Sequence, residues 1–392
     1  MELNIAMVSH TTIDKDDKNL PDHAIVTVER AASDLRRALP VVICDGKQSI
    51  LVQSAELLTD RGMERFHRLC GADPVVGLTR VRANILRISP RSGDVALVKL
   101  SDHMNSAILQ SMADPADDLM HPMKGPFHVA QQKATTVHTA GLKLCKIGRL
   151  LPAALFSSAL FTDDALATTD GAVWAKARGL LHVSAQDILD FDHRDAAALR
   201  QVTSAKVPLA GAEKTTMVAF RPDDGGTEHF ALIIGDPNRH DPVLARIHSE
   251  CFTGDLLGSL KCDCGEQLNG AIKHMQTAGG GVLLYLAQEG RGIGLINKLR
   301  AYQLQDQGFD TVDANERLGF HADERIFAPA AQMLKILGFD RVRLLTNNPL
   351  KVAGLENCGV MVAERVKHSF PSNAHNDHYL QTKKKRSGHL LS

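Results

Sequence analysis

Aromatic residues are scarce, at 4% of 392 positions, with one tryptophan and three tyrosines. So few rings give no sign of a stacking platform for single-stranded nucleic acid. Net charge is also missing: Lys plus Arg and Asp plus Glu each number 45. That balance argues against a general binder of nucleic acid or of a membrane surface, while leaving room for a local basic pocket. No run approaches the ~20 apolar residues of a membrane span. The N-terminus, Met1-Glu2-Leu3-Asn4, has no basic region followed by an apolar core, so no secretory signal is expected. Seven cysteines in such a chain read as thiols or thiolate ligands in a reducing compartment, not as a disulfide framework. A cytoplasmic enzyme is the expected class.

What is present is enough chain for two domains. Residues 9–20 are polar and carry the run Asp14-Lys15-Asp16-Asp17-Lys18, which reads as a mobile arm. Val26, Val28, Ala31, Leu35 and Leu39 follow helical spacing, and Pro40-Val41-Val42-Ile43-Cys44 is a short apolar strand. Ile50-Leu51-Val52 is a second strand, with helix expected from Ser54. An apolar run spans Ala153 to Phe161, and Val183 to Leu189 reads as strand, N-cap and helix. Asp192 to about Lys206 is charged and polar and is the candidate linker. Beyond it, strands are expected at 215–220, 230–234, 243–247, 281–286 and 342–345, and helices at 267–276, 293–305, 323–337 and 350–357. The alternation predicts a mixed α/β fold, with helices packed on a mixed sheet in the second domain. The expected domains are residues 1–195 and 205–392. The run Lys383-Lys384-Lys385-Arg386 is the one low-complexity stretch.

The chemistry centres on Cys251, Cys262 and Cys264, a C-x10-C-x-C spacing that can converge on one divalent metal. Thiolates at about 2.3 Å suit Zn²⁺, and three protein ligands leave a fourth tetrahedral position for water. The alternative is a set of buried cysteines, or most of a structural four-cysteine site. Cys358 is the one later cysteine and has no partner at ligand spacing, so spacing leans toward the open site. Upstream, Arg246, His248 and Glu250 fall on one side of an alternating strand. Glu289-Gly290-Arg291-Gly292-Ile293-Gly294 follows a strand and opens a helix, where backbone N–H groups and Arg291 favour phosphate, although such a turn is often only a turn.

Four motifs occur in order: Arg246-Ile247-His248-Ser249-Glu250-Cys251, Cys262-Asp263-Cys264-Gly265, Gln288 to Leu295, and Leu345-Thr346-Asn347-Asn348-Pro349. Over roughly residues 205–392 the chain resembles GTP cyclohydrolase II, which opens the riboflavin pathway; Asn297-Lys298 after the glycine-rich turn completes the pattern that starts at Gln288. The resemblance implies zinc on Cys251, Cys262 and Cys264. It implies GTP contacts from Arg246, His248, Ser249, Glu250, Gln267, Glu289, Gly290, Arg291, Thr311, Thr346 and Lys351. Mg²⁺ would bridge the triphosphate oxygens. Tyr302 would assist the zinc-water chemistry, Asp323 would be general base, and Arg325 would face the α-phosphate and act at phosphorus. A homodimer is implied as well. Lys367-His368 replaces an apolar pair of the family, and Pro208-Leu209-Ala210-Gly211 departs from its Pro-Thr pattern; neither is expected to touch the catalytic set.

The first half resembles 3,4-dihydroxy-2-butanone-4-phosphate synthase through Pro40-Val41-Val42, Ala55-Glu56-Leu57, His138-Thr139, Leu151-Pro152-Ala153-Ala154 and Ser184 to Leu189. Gly46-Lys47-Gln48-Ser49 stands where that family has an acidic loop, and the Thr-Thr-Gly loop is not visible. The half is therefore expected to be degenerate and non-catalytic, with His138 a leftover or a satisfied polar residue. The expected activity is zinc-dependent conversion of GTP to 2,5-diamino-6-ribosylamino-4(3H)-pyrimidinone 5′-phosphate, formate and pyrophosphate. The alternatives are a relative with a partial reaction or a role in another pathway such as pyrimidine breakdown, and a catalytically dead nucleotide-binding regulator.

Overall fold

The computed structural model describes residues 22–370, except 47, 71–72, 90–92, 102, 123 and 158–169, together with residue 386. The arm expected at 9–20, Lys47, residues 158–161 of the apolar run and Lys383-Lys384-Lys385 lie outside the described residues.

Strands β1 (Val41–Cys44), β2 (Ser49–Ser54), β3 (Val75–Thr79), β4 (Val95–Lys99), β5 (Ala153–Phe156) and β6 (His182–Ser184) form one sheet in the order β4-β3-β5-β2-β1-β6. β1 and β6 are parallel, and the other neighbouring pairs are antiparallel. Successive residues of β2 serve opposite faces, as a strand's period of two requires. Ile50 and Val52 pack in a core with Val28 and Leu35 of the helix His23–Arg36 and Leu144 of the helix Thr136–Ile147. Leu51 faces the other way, into a second core. That second core is closed by the other half of the chain. Ile293, Ala301, Leu304, Ala314, Leu318 and Phe320 belong to the same buried cluster as Leu51, Leu78 and Met112.

Strands β7 (Leu199–Lys206), β8 (Thr215–Pro222), β9 (His229–Gly235), β10 (Val243–Ser249), β11 (Gly280–Leu286), β12 (Arg341–Leu345) and β13 (Met361–Val366) form the second sheet, in the order β13-β12-β10-β11-β9-β8-β7. β10 to β13 are mutually parallel, while β7 to β9 join as an antiparallel meander. The parallel half matters for function. It brings the carboxyl ends of β10, β11 and β12 to one edge, where open α/β sheets place their ligand crevices.

Three expectations need correction. The polar stretch 192–206 is no linker: Asp192 lies within the helix Ala185–Ala197, and Leu199–Lys206 is β7, paired along β8. It reads as linker because β7 is an edge strand with seven of eight residues exposed. The helix expected from Asp323 starts only at Ala328, since Asp323 accepts the Arg325 backbone N–H at 3.1 Å and holds 323–325 in a tight loop. The helix expected from Ser54 begins at Asp60. His138 is a capping residue: its Nδ1 lies 3.1 Å from the Thr135 backbone N–H, closing a capping box, and burial pushes its pKa down to about 4.

Candidate active site

The chain leaves β10 at Ser249 and enters a short π-turn, Phe252–Leu256, headed by Cys251. Asp255 organises this turn. Its carboxylate accepts the Cys251 backbone N–H and the Tyr285 hydroxyl, each at 3.0 Å, and lies 3.0 Å from His248 Nε2. The turn delivers Cys251 beside Cys262 and Cys264, the latter opening the helix Cys264–Thr277. The three Sγ atoms lie within 4.8 Å of one another. Cys251 and Cys262 are 3.8 Å apart, and a tetrahedron with bonds of about 2.3 Å has an edge of about 3.8 Å. Gly254 keeps the space open: a Cβ there would meet Cys262 Sγ at 2.8 Å and Cys251 Sγ at 3.0 Å. The donor set is therefore suited to a tetrahedral divalent ion with one position left over. Hydrogen bonds from Cys262 and Cys264 hold the Cys251 pKa down, and that thiolate pushes the other two thiols up.

These thiols open onto a cavity lined by sixteen of the seventeen residues predicted from sequence. Arg246, buried on β10, donates to the Leu345 carbonyl at 3.0 Å and to Gln267 Oε1. Burial pulls its pKa down to about 10, so it remains a cation at neutral pH. Arg246 Nε, His248 Nδ1 and Ser249 Oγ are buried with no partner among the described residues, which leaves donors and acceptors for a ligand. Lys351 donates to the Ile247 carbonyl at 2.7 Å, and Thr346 Oγ1 accepts the Asn348 N–H at 3.0 Å. Gln305 Nε2 stands 3.3 Å from Thr311 Oγ1. Gly290 and Arg291 both take the left-handed conformation, at φ 64° and 63°. For arginine that is uncommon, and it turns the guanidinium toward the cavity, where it also donates to the Ala322 carbonyl at 3.1 Å. Glu289 is more committed. Its carboxylate accepts the Phe252 N–H at 2.6 Å and its neighbour Gly290's N–H at 2.8 Å. Burial pushes the Tyr302 hydroxyl up to about 12.

Asp323 is the one predicted residue that does not line the cavity. It stands behind Arg325, which does, and accepts from Arg325 Nε at 2.8 Å and from Nη2. Burial opposes its charge, but Arg325 outweighs that and lowers its pKa.

Two residues that the sequence reading names without giving them a role also stand at the site. Lys298 Nζ lies 3.1 Å from Cys251 Sγ, 2.8 Å from Thr253 Oγ1 and 2.9 Å from Glu289 Oε1. Burial lowers its pKa, yet Glu289, Tyr302 and Cys251 together raise it, keeping it an ammonium. Its place directly after Asn297 was the available signal. His368, read as a departure from the family outside the catalytic set, lines the cavity, with Nε2 2.9 Å from the Gln267 carbonyl.

The family profile described as GTP cyclohydrolase II matches residues 200–367. A GTP cyclohydrolase-2 of Azospirillum brasilense is 48% identical over 374 residues, covering 95% of this chain and 96% of the relative. The chain belongs to the GTP cyclohydrolase-2 family. A second member, from Cronobacter sakazakii, is 55% identical over 194 residues, which are 50% of this chain and 98% of its own length. The family thus includes members without a first half. A solved two-domain 3,4-dihydroxy-2-butanone 4-phosphate synthase from A. baumannii aligns with 88% of this chain and 99% of its own, at 17% identity and a TM-score of 0.35. A likeness that weak assigns nothing to the first half.

Proposed function

We propose that the chain is a zinc-dependent GTP cyclohydrolase II, converting GTP to 2,5-diamino-6-ribosylamino-4(3H)-pyrimidinone 5′-phosphate, formate and pyrophosphate. This is the first step of riboflavin biosynthesis. The observation that carries the reading is the three-thiol cluster, within 4.8 Å, at the wall of a cavity rich in buried cations. Zinc bound by Cys251, Cys262 and Cys264 supplies Lewis acidity and lowers the pKa of water toward 7.

The chain's own residues do the rest. Arg246, Arg291, Arg325 and Lys351 offset the charge of a triphosphate, with Mg²⁺ sharing that task. His248, Ser249, Glu250, Gln267, Glu289, Gly290, Thr311 and Thr346 orient the nucleotide, so that C8 of the guanine faces the thiol cluster. Much of the rate comes from that positioning. Tyr302 serves ring opening as a neutral phenol, because its raised pKa keeps the proton on oxygen at neutral pH. Arg325 acts at the α-phosphate. Asp323 aims Arg325 while the two are paired, and becomes available as a base once a phosphate draws the guanidinium away.

The first half, expected to end at residue 195 and here extended to the end of the helix Ala185–Ala197, is a non-catalytic scaffold. His138 Nδ1 serves the helix cap, its Nε2 is buried without a partner among the described residues, and Asp45 accepts the Gln48 N–H at 3.0 Å. A homodimer in the cytoplasm completes the proposal; among the described residues no helix is long and apolar enough to cross a membrane. The test is formate and pyrophosphate release from GTP by the zinc-loaded chain, with ribulose 5-phosphate plus Mg²⁺ as a second substrate. Formate from GTP alone is expected. Absence of both formate and pyrophosphate after incubation with GTP refutes the reading, and formate from ribulose 5-phosphate refutes the scaffold role.

A further inference from the structure

The loop that carries Arg325 does not hold itself in place. Glu324, between Asp323 and Arg325, turns its carboxylate away from the cavity, onto Lys146 of the helix Thr136–Ile147. Nζ and Oε1 are 2.6 Å apart. The same oxygen accepts the His321 N–H at 2.8 Å, and Glu324's own N–H donates to the Arg291 carbonyl at 3.1 Å. One ammonium from the first half therefore ties down a residue joined to both the Arg325 loop and the Arg291 loop. Neither partner is a surface group, with side-chain exposures of 23% and 19%. At that burial, a charged pair at hydrogen-bond distance fixes geometry better than an exposed one.

The helix Leu295–Asp306, which carries Lys298 and Tyr302, is tied to the first half in the same way. Arg300 Nη2 donates to Glu56 Oε1 at 2.9 Å, and the other oxygen of Glu56 accepts the Leu151 N–H at 2.6 Å. Thr79 Oγ1 donates to the Gly319 carbonyl at 2.8 Å, just before the Arg325 loop. Phe320, the next residue, is 1% exposed and sits in the core it shares with Leu78 and Ala83. The half-length relative from Cronobacter sakazakii aligns with only 50% of this chain, so its cyclohydrolase unit has no counterpart of these supports within its own length.

We propose that Lys146 is a positioning residue for the GTP site, through which the first half sets Arg325 by way of Glu324. This inference rests on the function proposed above, and it gives the scaffold a defined task. Lys146 touches neither the thiol cluster nor the cavity, so its loss is felt at the phosphate end alone.

The test is steady-state kinetics of pyrophosphate and formate release from GTP on the full-length, zinc-loaded chain. Lys146→Met is expected to lower kcat and kcat/KM together by about 10- to 100-fold, with KM within about twofold and zinc content unchanged. Lys146→Arg, which keeps the charge, is expected to recover most of the rate. Lys143→Met is the control: Lys143, on the same helix as Lys146, pairs instead with Asp192 of the helix Ala185–Ala197 at 2.9 Å, so its kinetics are expected to match wild type. Should Lys146→Met fail to fold, Glu324→Gln removes the same charge pair from the other side and is expected to show the same kcat loss. Unchanged kinetics in the folded variant overturn the proposal. So does an equal loss in Lys143→Met, or a failure of Lys146→Arg to recover. A wild-type chain that releases no formate overturns the function itself, and this inference with it.

Discussion

Replacing Lys298 with Met removes an ammonium that three groups share: Cys251 Sγ at 3.1 Å, Thr253 Oγ1 at 2.8 Å and Glu289 Oε1 at 2.9 Å. Two effects follow, and they separate. The first is on stability. Glu289 is 7% exposed, and deleting one partner of a buried ion pair costs about 3–5 kcal/mol, because the remaining charge is left uncompensated. The backbone donors from Phe252 and Gly290 remain on Glu289, so the lower end of that range applies. The second effect is on metal binding. Lys298 donates to a thiolate that is to hold zinc, and loss of such an outer hydrogen bond weakens metal affinity by about 10- to 100-fold. The assays are thermal unfolding and zinc competition against a chelator, on Lys298→Met and on the double variant Lys298→Met/Glu289→Gln. The double variant removes the stranded charge, so it is expected to regain most of the stability while keeping the zinc deficit. Wild-type zinc affinity in the single variant refutes the role at Cys251. An equally unstable double variant refutes the stranded-charge account of stability.

Arg325→Ala is expected to lower pyrophosphate release by at least about 100-fold while leaving zinc content near wild type, measured by a coupled phosphate assay, with a lower unfolding temperature because Asp323 loses its counter-charge; full turnover would make Arg325 a bystander. Asp195 sets a pH dependence. Burial, then repulsion from Asp224 and Glu29, pushes its pKa up to about 7. A carboxyl raised in the folded state stabilises the fold while protonated, and that stability is lost as pH rises from its unfolded value near 4 through 7. Asp195→Asn is therefore expected to show an unfolding-temperature advantage that grows over that window and levels off above it. A gap that is constant with pH would contradict the shift.

The convergence of the three thiols was legible because the cysteines sit close in the chain, where C-x10-C-x-C spacing leans toward a shared site and the surrounding family motifs tip the balance. The central strands were legible for a related reason. β11 is buried along most of its length and reads as the apolar run Val282 to Leu286, while β10 is buried on both faces and keeps apolar residues at Val243, Leu244, Ala245 and Ile247 around Arg246. Edge strands lacked that signal: β7 has one buried residue of eight, and β13 has none. Lys298 could be seen as part of the Gln288 to Lys298 pattern, but its role could not, because that lies in Glu289, nine residues back, and in Cys251, 47 residues back. Asp323 looked like the head of a helix and a base, since sequence cannot show that Arg325 folds back onto it. Likewise nothing local marks Lys146 or Glu56. Their partners lie 178 and 244 residues away, across a shared core.

The central claim is that three thiolates hold one zinc that the reaction on GTP requires. The most direct test measures zinc per chain and formate per GTP on the same preparations of wild type and Cys262→Ser. The expected result is one zinc per chain and one formate per GTP consumed in the wild type, with both lost in Cys262→Ser. A Cys262→Ser protein that keeps its zinc and releases formate at the wild-type rate would contradict the account.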